Sequence, residues 1–340
     1  MTHLLSTYSL KSLELKNRIV MPPMCQFSAA GKDGAATDWH FVHYVSRAIG
    51  GAGLIIIEMT NVEPDGRITD YDLGLWSDEQ IPALKRIVDA CHTYGAKVAI
   101  QIAHAGRKAV DATVPVAPSE IPYDEKSKTP RALSTAEVQE MVEKFRQAVQ
   151  RAVKAGFDAI ELHGAHGYLI HQFLSPITNK REDEYGQDRT LFGREIIEAA
   201  KAEMPNDMPL IMRISAREYM EGGYGLQESI VFSKAFKEAG VDILHISTGG
   251  EGPLGVFEKP GSHAAYQVSF AREIKKAVEV PVIAVGRLDD PILANAVIGN
   301  EEADLVAVGR GMLRNPHWAL EAAAVLKQPV NPPRQYTSGF

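Results

Sequence analysis

The feature that most restricts the fold of this chain is one pattern repeated along nearly its whole length: a short β-branched run, a helical stretch, then another run. The runs span Arg18 to Met21, Gly53 to Met59, Lys97 to Ala103, Asp158 to His163, Leu210 to Ser215, Asp242 to Ser247, Val280 to Val285 and Asp304 to Val308. Helical periodicity fills residues 38–50, 78–94, 135–155, 189–204, 227–239, 266–278, 290–299 and 316–326. Strands joined by crossover helices must pair in parallel, and eight such units close into a (β/α)8 TIM barrel of the α/β class; an open doubly wound sheet is the rival. A single domain over 1–340 is expected.

Local punctuation agrees with the periodicity. Ser77 with Gln80 and Ser134 with Glu137 have capping-box spacing, and Asp290 before Pro291 fits an N-cap with proline at the first helical position. Helices end at Gly51, Gly95, Gly156 and Gly240, where glycine supplies a left-handed cap just before the next strand. Tyr8 to Leu15 reads as a hairpin that plugs the bottom of the barrel. Gly106 to Leu133 is an extended loop after the third strand, at the top, where barrel active sites are built.

Composition narrows the function. With 45% hydrophobic and 23% charged residues the chain can bury a full core, and a net charge of −7 with scattered basic residues argues against a nucleic-acid surface. The N-terminus lacks a signal-peptide core and no segment approaches the ~20 apolar residues of a membrane span, so a cytoplasmic protein without a membrane partner is expected. Cys25 and Cys91 are too few for a disulfide framework or a four-cysteine metal site.

In a barrel, chemistry sits at the C-terminal ends of strands. Cys25, Glu58, Thr60, Gln101, His104, His163, His166, Arg213, Ser247 and Thr248 are all expected on that rim. The seventh and eighth strands end as Val285-Gly286-Arg287 and Val308-Gly309-Arg310, two glycines exposing backbone N–H groups beside an arginine, which suits a phosphate. Each glycine could instead make only a tight turn; two at the barrel's usual phosphate positions favour the ligand.

His163-Gly164-Ala165-His166-Gly167-Tyr168 brings two imidazoles and a phenol to one strand end. Zinc bound by His163, His166 and Glu161 is one reading, since Glu161 shares the inward face with His163. The other is an oxyanion site, in which both imidazoles donate to one carbonyl oxygen while Tyr168, whose unperturbed pKa is ~10, stays protonated as an acid. Gly250-Glu251-Gly252-Pro253-Leu254-Gly255 matches GxGxxG, yet it runs into Pro253 and Pro260 with no helix at its end, and reads as a mobile loop. Without a Walker sequence, a GxSxG elbow or an HExxH motif, redox chemistry on a phosphate-bearing cofactor remains; a lyase or aldolase of a phosphorylated substrate would use the same Gly-Arg turns.

Five motifs carry a further inference: Lys16 to Cys25, Gln101 to Lys108, His163 to Tyr168 continuing into Phe173-Leu174-Ser175-Pro176, Arg213, and Val308-Gly309-Arg310. Through them the chain resembles the old yellow enzyme family, in its shorter, thermophilic-like subclass. The resemblance implies FMN at the barrel mouth, contacted by Pro22, Pro23, Met24, Cys25, Met59, Gln101, Arg213, Gly286, Gly309 and Arg310. It implies an ene-reductase in which NADPH or NADH loads the flavin and hydride then passes to the β carbon of an enone, enal, maleimide or nitroalkene. His163 and His166 would hold the substrate carbonyl, with Gly164, Ala165 and Phe27 beside it; Tyr168 would protonate the α carbon, and Cys25 would tune the flavin. A homodimer or homotetramer is implied as well. Four departures stand out. Phe27 replaces a tyrosine and shifts specificity toward apolar substrates, Met59 replaces a smaller residue, Ser338 stands where the subclass has an arginine reaching a neighbouring subunit, and the segment after Tyr185-Gly186 is short.

Overall fold

In the computed structural model, which describes residues 2–253, 260–329 and 331–339, the strands pair in parallel in the order β1-β8-β7-β6-β5-β4-β3-β2, and β1 pairs β2 to close the ring. They are β1 (Ile19–Met21), β2 (Leu54–Asn61), β3 (Lys97–Ala103), β4 (Ala159–Gly164), β5 (Leu210–Ser215), β6 (Ile243–Ser247), β7 (Val282–Val285) and β8 (Leu305–Ala307). Around them lie α1 (Asp38–Ile49), α2 (Ile81–Thr93), α3 (Thr135–Ala155), α4 (Leu191–Glu203), α5 (Leu226–Ala239), α6 (Val268–Val278), α7 (Pro291–Gly299) and α8 (Trp318–Val325). The closed barrel is the expected fold and the open sheet is excluded. Short helices at Leu169–Leu174, Glu184–Gln187 and Arg310–Arg314 were not visible in the periodicity, because four to six residues hold less than two turns of pattern.

Alternation along each strand builds two cores. Val20, Leu54, Ile56, Ala99, Ile211 and Ile283 share a buried cluster inside the ring, whereas Ile55, Ile57, Ile100, Leu162 and Met212 join the helices in the larger outer core. The N-terminal hairpin, Tyr8–Leu10 against Leu13–Leu15, contributes Tyr8, Leu13 and Leu15 to the inner cluster. Caps appear where the sequence places them: Ser134 Oγ accepts the N–H of Glu137, Asp290 Oδ1 accepts that of Leu293, and Gly156 closes α3 at φ 88°.

One device recurs at the bottom of the ring. Asp158, Asp242 and Asp304 each stand just before an even-numbered strand, and each carboxylate accepts the first or second N–H of the preceding odd strand: Val98, Leu210 and Val282 at 2.8, 2.9 and 2.9 Å. In turn each aspartate's own N–H donates to the same segment, at the carbonyl of Val98, Leu210 or Val282. At the matching place before β2 stands Gly53, where a Cβ would come within 2.5 Å of Asn17. These aspartates, read from sequence as the first strand residues, therefore act as clamps between neighbouring strands. Replacing Asp304 by alanine removes a charged acceptor from Val282 N–H and from Lys275. We expect a loss of about 1–3 kcal/mol, read as an earlier midpoint in denaturant unfolding at unchanged slope.

Candidate active site

Toward the C-terminal end of the barrel the inward side chains change from aliphatic to polar. Gln101 on β3 donates to Glu161 Oε1 at 2.8 Å, and the other Glu161 oxygen bonds His245 Nδ1 of β6 at 2.7 Å. Glu161 is therefore committed to the floor, and it does not join His163 and His166 in a metal site. Arg213 of β5 lies above, almost fully buried, and its Nε has no partner among the described residues. A buried guanidinium with a spare donor is built to meet an acceptor that arrives with a ligand.

His163 is the penultimate residue of β4, and the chain then reverses through His166 and Gly167, both at positive φ (60° and 71°). The reversal gathers the three rings the sequence singles out: His163 lies 5.1 Å from His166 and 4.8 Å from Tyr168, centroid to centroid. His163 Nδ1 accepts the N–H of Ala165 at 3.3 Å, which leaves the proton on Nε2. His166 Nε2 pairs with Ser247 Oγ at 2.7 Å, and its backbone N–H donates to Ser215 Oγ. Burial first, then the Arg213 charge, hold both imidazoles well below the usual histidine range, so both are neutral. Burial likewise pushes up the Tyr168 phenol and the Cys25 thiol, keeping both protonated. Cys25 and Tyr168 pack on a small cluster of Met59, Ala103 and Ala105.

The reversal is held from behind. His171 Nδ1 accepts the N–H of Gly167 at 2.8 Å, while its Nε2 lies 2.9 Å from Tyr224 Oη and 3.1 Å from Glu218. Glu251 completes this buried group, 3.5 Å from His171 Nδ1 and 3.1 Å from Arg107. Among the described residues His171, Glu218 and Glu251 are the only ones clustered closely enough to suit a metal ion. Arg107 engages Glu251 Oε1 and the Gly167 N–H engages His171 Nδ1, while Glu251 Oε2 has no hydrogen-bond partner among the described residues. Lys108 ties the reversal to the loop after β6, donating to the carbonyls of His166 at 2.9 Å and Gly250 at 3.2 Å. A Cβ on Gly250 would lie 2.3 Å from His166 Cα, so only glycine allows this approach.

On the other side of the mouth, a cavity of about 200 Å³ is lined by Pro22, Pro23, Met24, Arg213, Gly286, Gly309 and Arg310. Gly286 (φ 132°) and Arg287 (φ 52°) turn sharply after β7. This space runs from the buried Arg213 to two glycine turns, whose backbone groups suit a phosphate.

Other expected rim residues lie elsewhere. A bulge between Ile57 and Thr60 shifts the register of β2, so Met59 faces the site and Glu58 turns to α1, bonding His40 and Tyr44. Glu58 still reaches the mouth indirectly, accepting the N–H of Gln26 at 2.9 Å. Thr60 Oγ1 donates to the carbonyl of Glu58, and His104 is occupied by Glu63 at 2.8 Å. Phe27 sits at φ 51° and is 48% exposed, outside the cluster of Cys25 and Tyr168. Gly164 and Ala165 are buried scaffold; a Cβ on Gly164 would meet the Arg213 carbonyl at 2.9 Å. Lys108, given no role from sequence, places its Nζ 4.9 Å from the Tyr168 ring. Its place in the Gln101 to Lys108 motif was the available signal. Of the GxGxxG match, Leu254 and Gly255 lie outside the described residues, as does Phe340.

Residues 4–328 match the model of the NADH:flavin oxidoreductase / NADH oxidase family. The chain is 50% identical to an NADPH dehydrogenase of Listeria innocua over the full length of both. It is 46% identical to one of Bacillus velezensis, covering 98% of each. Among solved structures, morphinone reductase superposes with a TM-score of 0.81 at 29% identity, covering 98% of this chain and 91% of that one. The same enzyme in complex with tetrahydroNAD gives 0.80, covering 98% and 93%.

Burial of neutral imidazoles has a consequence for stability. The unfolded chain binds protons at these histidines below pH ~6.5 while the folded chain does not, so their contribution is present above that pH and is lost as pH falls. In ¹⁵N-edited spectra of histidine-labelled protein, the His163 and His166 rings should keep neutral-imidazole shifts down to the onset of acid unfolding. A titration of either ring near pH 6.5 would contradict the assigned state.

Proposed function

The chain belongs to the NADH:flavin oxidoreductase / NADH oxidase family, and from that premise we propose that it is an FMN-dependent NADPH dehydrogenase which reduces the C=C bond of α,β-unsaturated carbonyl compounds. The observation that carries the reading is the convergence of two neutral imidazoles and a protonated phenol beside a buried, partly unpaired arginine. Bound FMN would supply the hydride exchange between reduced nicotinamide and the substrate's β carbon.

The residues fit that cofactor. Arg213 would place its free Nε and its charge at the pyrimidine end of the ring, where reduction leaves negative charge, with Gln101 beside it. Pro22, Pro23 and Met24 would wall one edge, and the backbone amides of Gly286, Gly309 and Arg310 would hold the phosphate. Met59 and Cys25 complete the wall near Tyr168.

His163 would donate its Nε2 proton to the substrate carbonyl, and His166 would add a second donor when Ser247 turns its own proton toward Nε2. Neutral donors suit an oxygen that gains charge only in the transition state, because they polarise it without giving up a proton. Tyr168 is the acid for the α carbon. The Lys108 ammonium, 4.9 Å from the phenol ring, would stabilise the phenolate left behind. Burial lowers Lys108 to about 8, so that support weakens in alkaline solution. Cys25, kept as a neutral thiol, acts by packing and by its S–H rather than as a thiolate. Cyclic enones, unsaturated aldehydes, maleimides and nitroalkenes fit this arrangement, and assembly as a homodimer or homotetramer in the cytoplasm completes the reading.

An anaerobic visible spectrum tests it. The purified protein should show a flavin band that bleaches with one equivalent of NADPH and returns on adding 2-cyclohexenone; a colourless protein after reconstitution with FMN would overturn the proposal. Tyr168→Phe separates the two halves of the cycle. Flavin reduction by NADPH should stay within about threefold of wild type, while reoxidation by enone slows on the order of 10²-fold or more, the scale of a positioned acid. Equal slowing of both steps would remove Tyr168 as the proton donor.

A further inference from the structure

Across the mouth from the Gly286 and Gly309 turns, the loop after β3 encloses a second cavity. It measures about 360 Å³ and is walled by Arg107, Lys108, Tyr123, Asp124, Lys126 and Lys128 among others. Four cations and one acid line it in a chain whose net charge is −7. Asp124 does little to offset them, since its Oδ1 closes its own turn, accepting from Lys126 N–H and Ser127 Oγ. Lys128 is pinned by the carbonyls of Val110 at 3.0 Å and Ala112 at 2.7 Å, which fixes its charge at the wall. Arg107 spends its charge on Glu251. The exposed Lys126 ammonium makes no side-chain hydrogen bond or close ion pair among the described residues, feeling Asp124 only through their charges.

The cavity communicates with the catalytic rings through one side chain. Lys108 Nζ lies 4.9 Å from the Tyr168 ring and 4.7 Å from the Tyr123 ring, so it forms the partition between the two spaces. The loop that bears these residues follows β3, whereas the glycine turns assigned to the FMN phosphate follow β7 and β8, on the opposite side of a ring whose order is fixed by the strand pairing. A dinucleotide whose nicotinamide lies beside Tyr168 must carry its phosphates and adenosine away from the mouth. The half-buried Tyr123 offers an aromatic surface and the lysines offer fixed positive charge.

Resting on the reading of the enzyme as a nicotinamide-dependent flavin reductase, we propose that this cavity receives the adenosine end of the hydride donor, with Lys126 as the ligand of a 2′-phosphate. The site makes the enzyme selective for NADPH over NADH. An exposed ammonium at the rim suits this role, because a phosphate can capture it without breaking a hydrogen bond.

Stopped-flow reduction of the FMN-reconstituted protein by each nucleotide tests the site in wild type, Lys126→Glu, Lys126→Arg and, as a remote control on α5, Lys234→Glu. Lys126→Glu should raise the apparent Kd for NADPH about 10-fold or more, the scale of a lost charge-assisted hydrogen bond, and leave that for NADH within about twofold. Lys126→Arg and Lys234→Glu should behave as wild type. Wild-type affinity for NADPH should also fall more steeply than that for NADH between about 20 and about 200 mM salt, as screening acts on the extra phosphate. Parallel weakening for both nucleotides in Lys126→Glu, or none for either, would overturn the site while flavin reduction, and with it the proposed activity, still stood. A wild-type flavin that neither nucleotide reduces would overturn the activity itself.

Discussion

The active end of this molecule is organised by one buried charge. Arg213 has been taken out of water at the top of β5, and desolvation lowers its basicity without any neighbour accepting its Nε proton. Such a charge is tolerated only if the surroundings balance it, and the floor beneath does so: Glu161 supplies the opposing field and is itself held by Gln101 and His245. Above, the same charge adds to burial in keeping His163 and His166 neutral. The two neutral imidazoles, the floor of the site and the spare donor for a ligand are therefore linked parts of one electrostatic arrangement. Changing Glu161 would alter all three at once.

That arrangement depends on strand parity, which is where the sequence was most legible. In a closed barrel every second residue points inward, so His163, Arg213, Gln101 and Ser247 could be placed on the rim by counting. The Gly-Arg turns after β7 and β8 could be placed too, because their positions follow from the eight-fold repeat. Counting fails at β2. The bulge at Ile57 to Thr60 inserts a step that no residue type announces, and it exchanges the faces of Glu58 and Met59. Glu58 looks catalytic by periodicity but instead anchors α1 and the Pro22 to Gln26 segment.

Residues contributed by loops were the least legible. His171, Glu218 and Glu251 lie far apart in the chain, and nothing in their spacing says that they meet behind Gly167. Their contact is a product of three βα loops converging, and only the closed ring fixes which loops converge. Phe27 shows the converse. It directly follows the Pro22 to Gln26 segment beside the site, yet its positive φ turns the ring outward to solvent. Position along a motif predicts proximity to a site; the backbone dihedral decides which way a side chain looks.

The two cationic regions of the mouth are unlike in kind, and the difference follows from what each would hold. Around Gly286 and Gly309 the donors are backbone groups on turns built directly onto strand ends, fixed by the barrel itself. A cofactor that stays through many cycles gains from donors already in place, since little ordering entropy is lost when it binds. The cavity after β3 instead presents lysine side chains on a long loop, Lys108 and Lys128 held by backbone carbonyls and Lys126 exposed. A long exposed side chain such as Lys126 loses more entropy on contact and holds less tightly, which would suit the proposed hydride donor, one that leaves before an enone enters the same space. In the proposed reading one phosphate site stands on the scaffold and the other on an insertion.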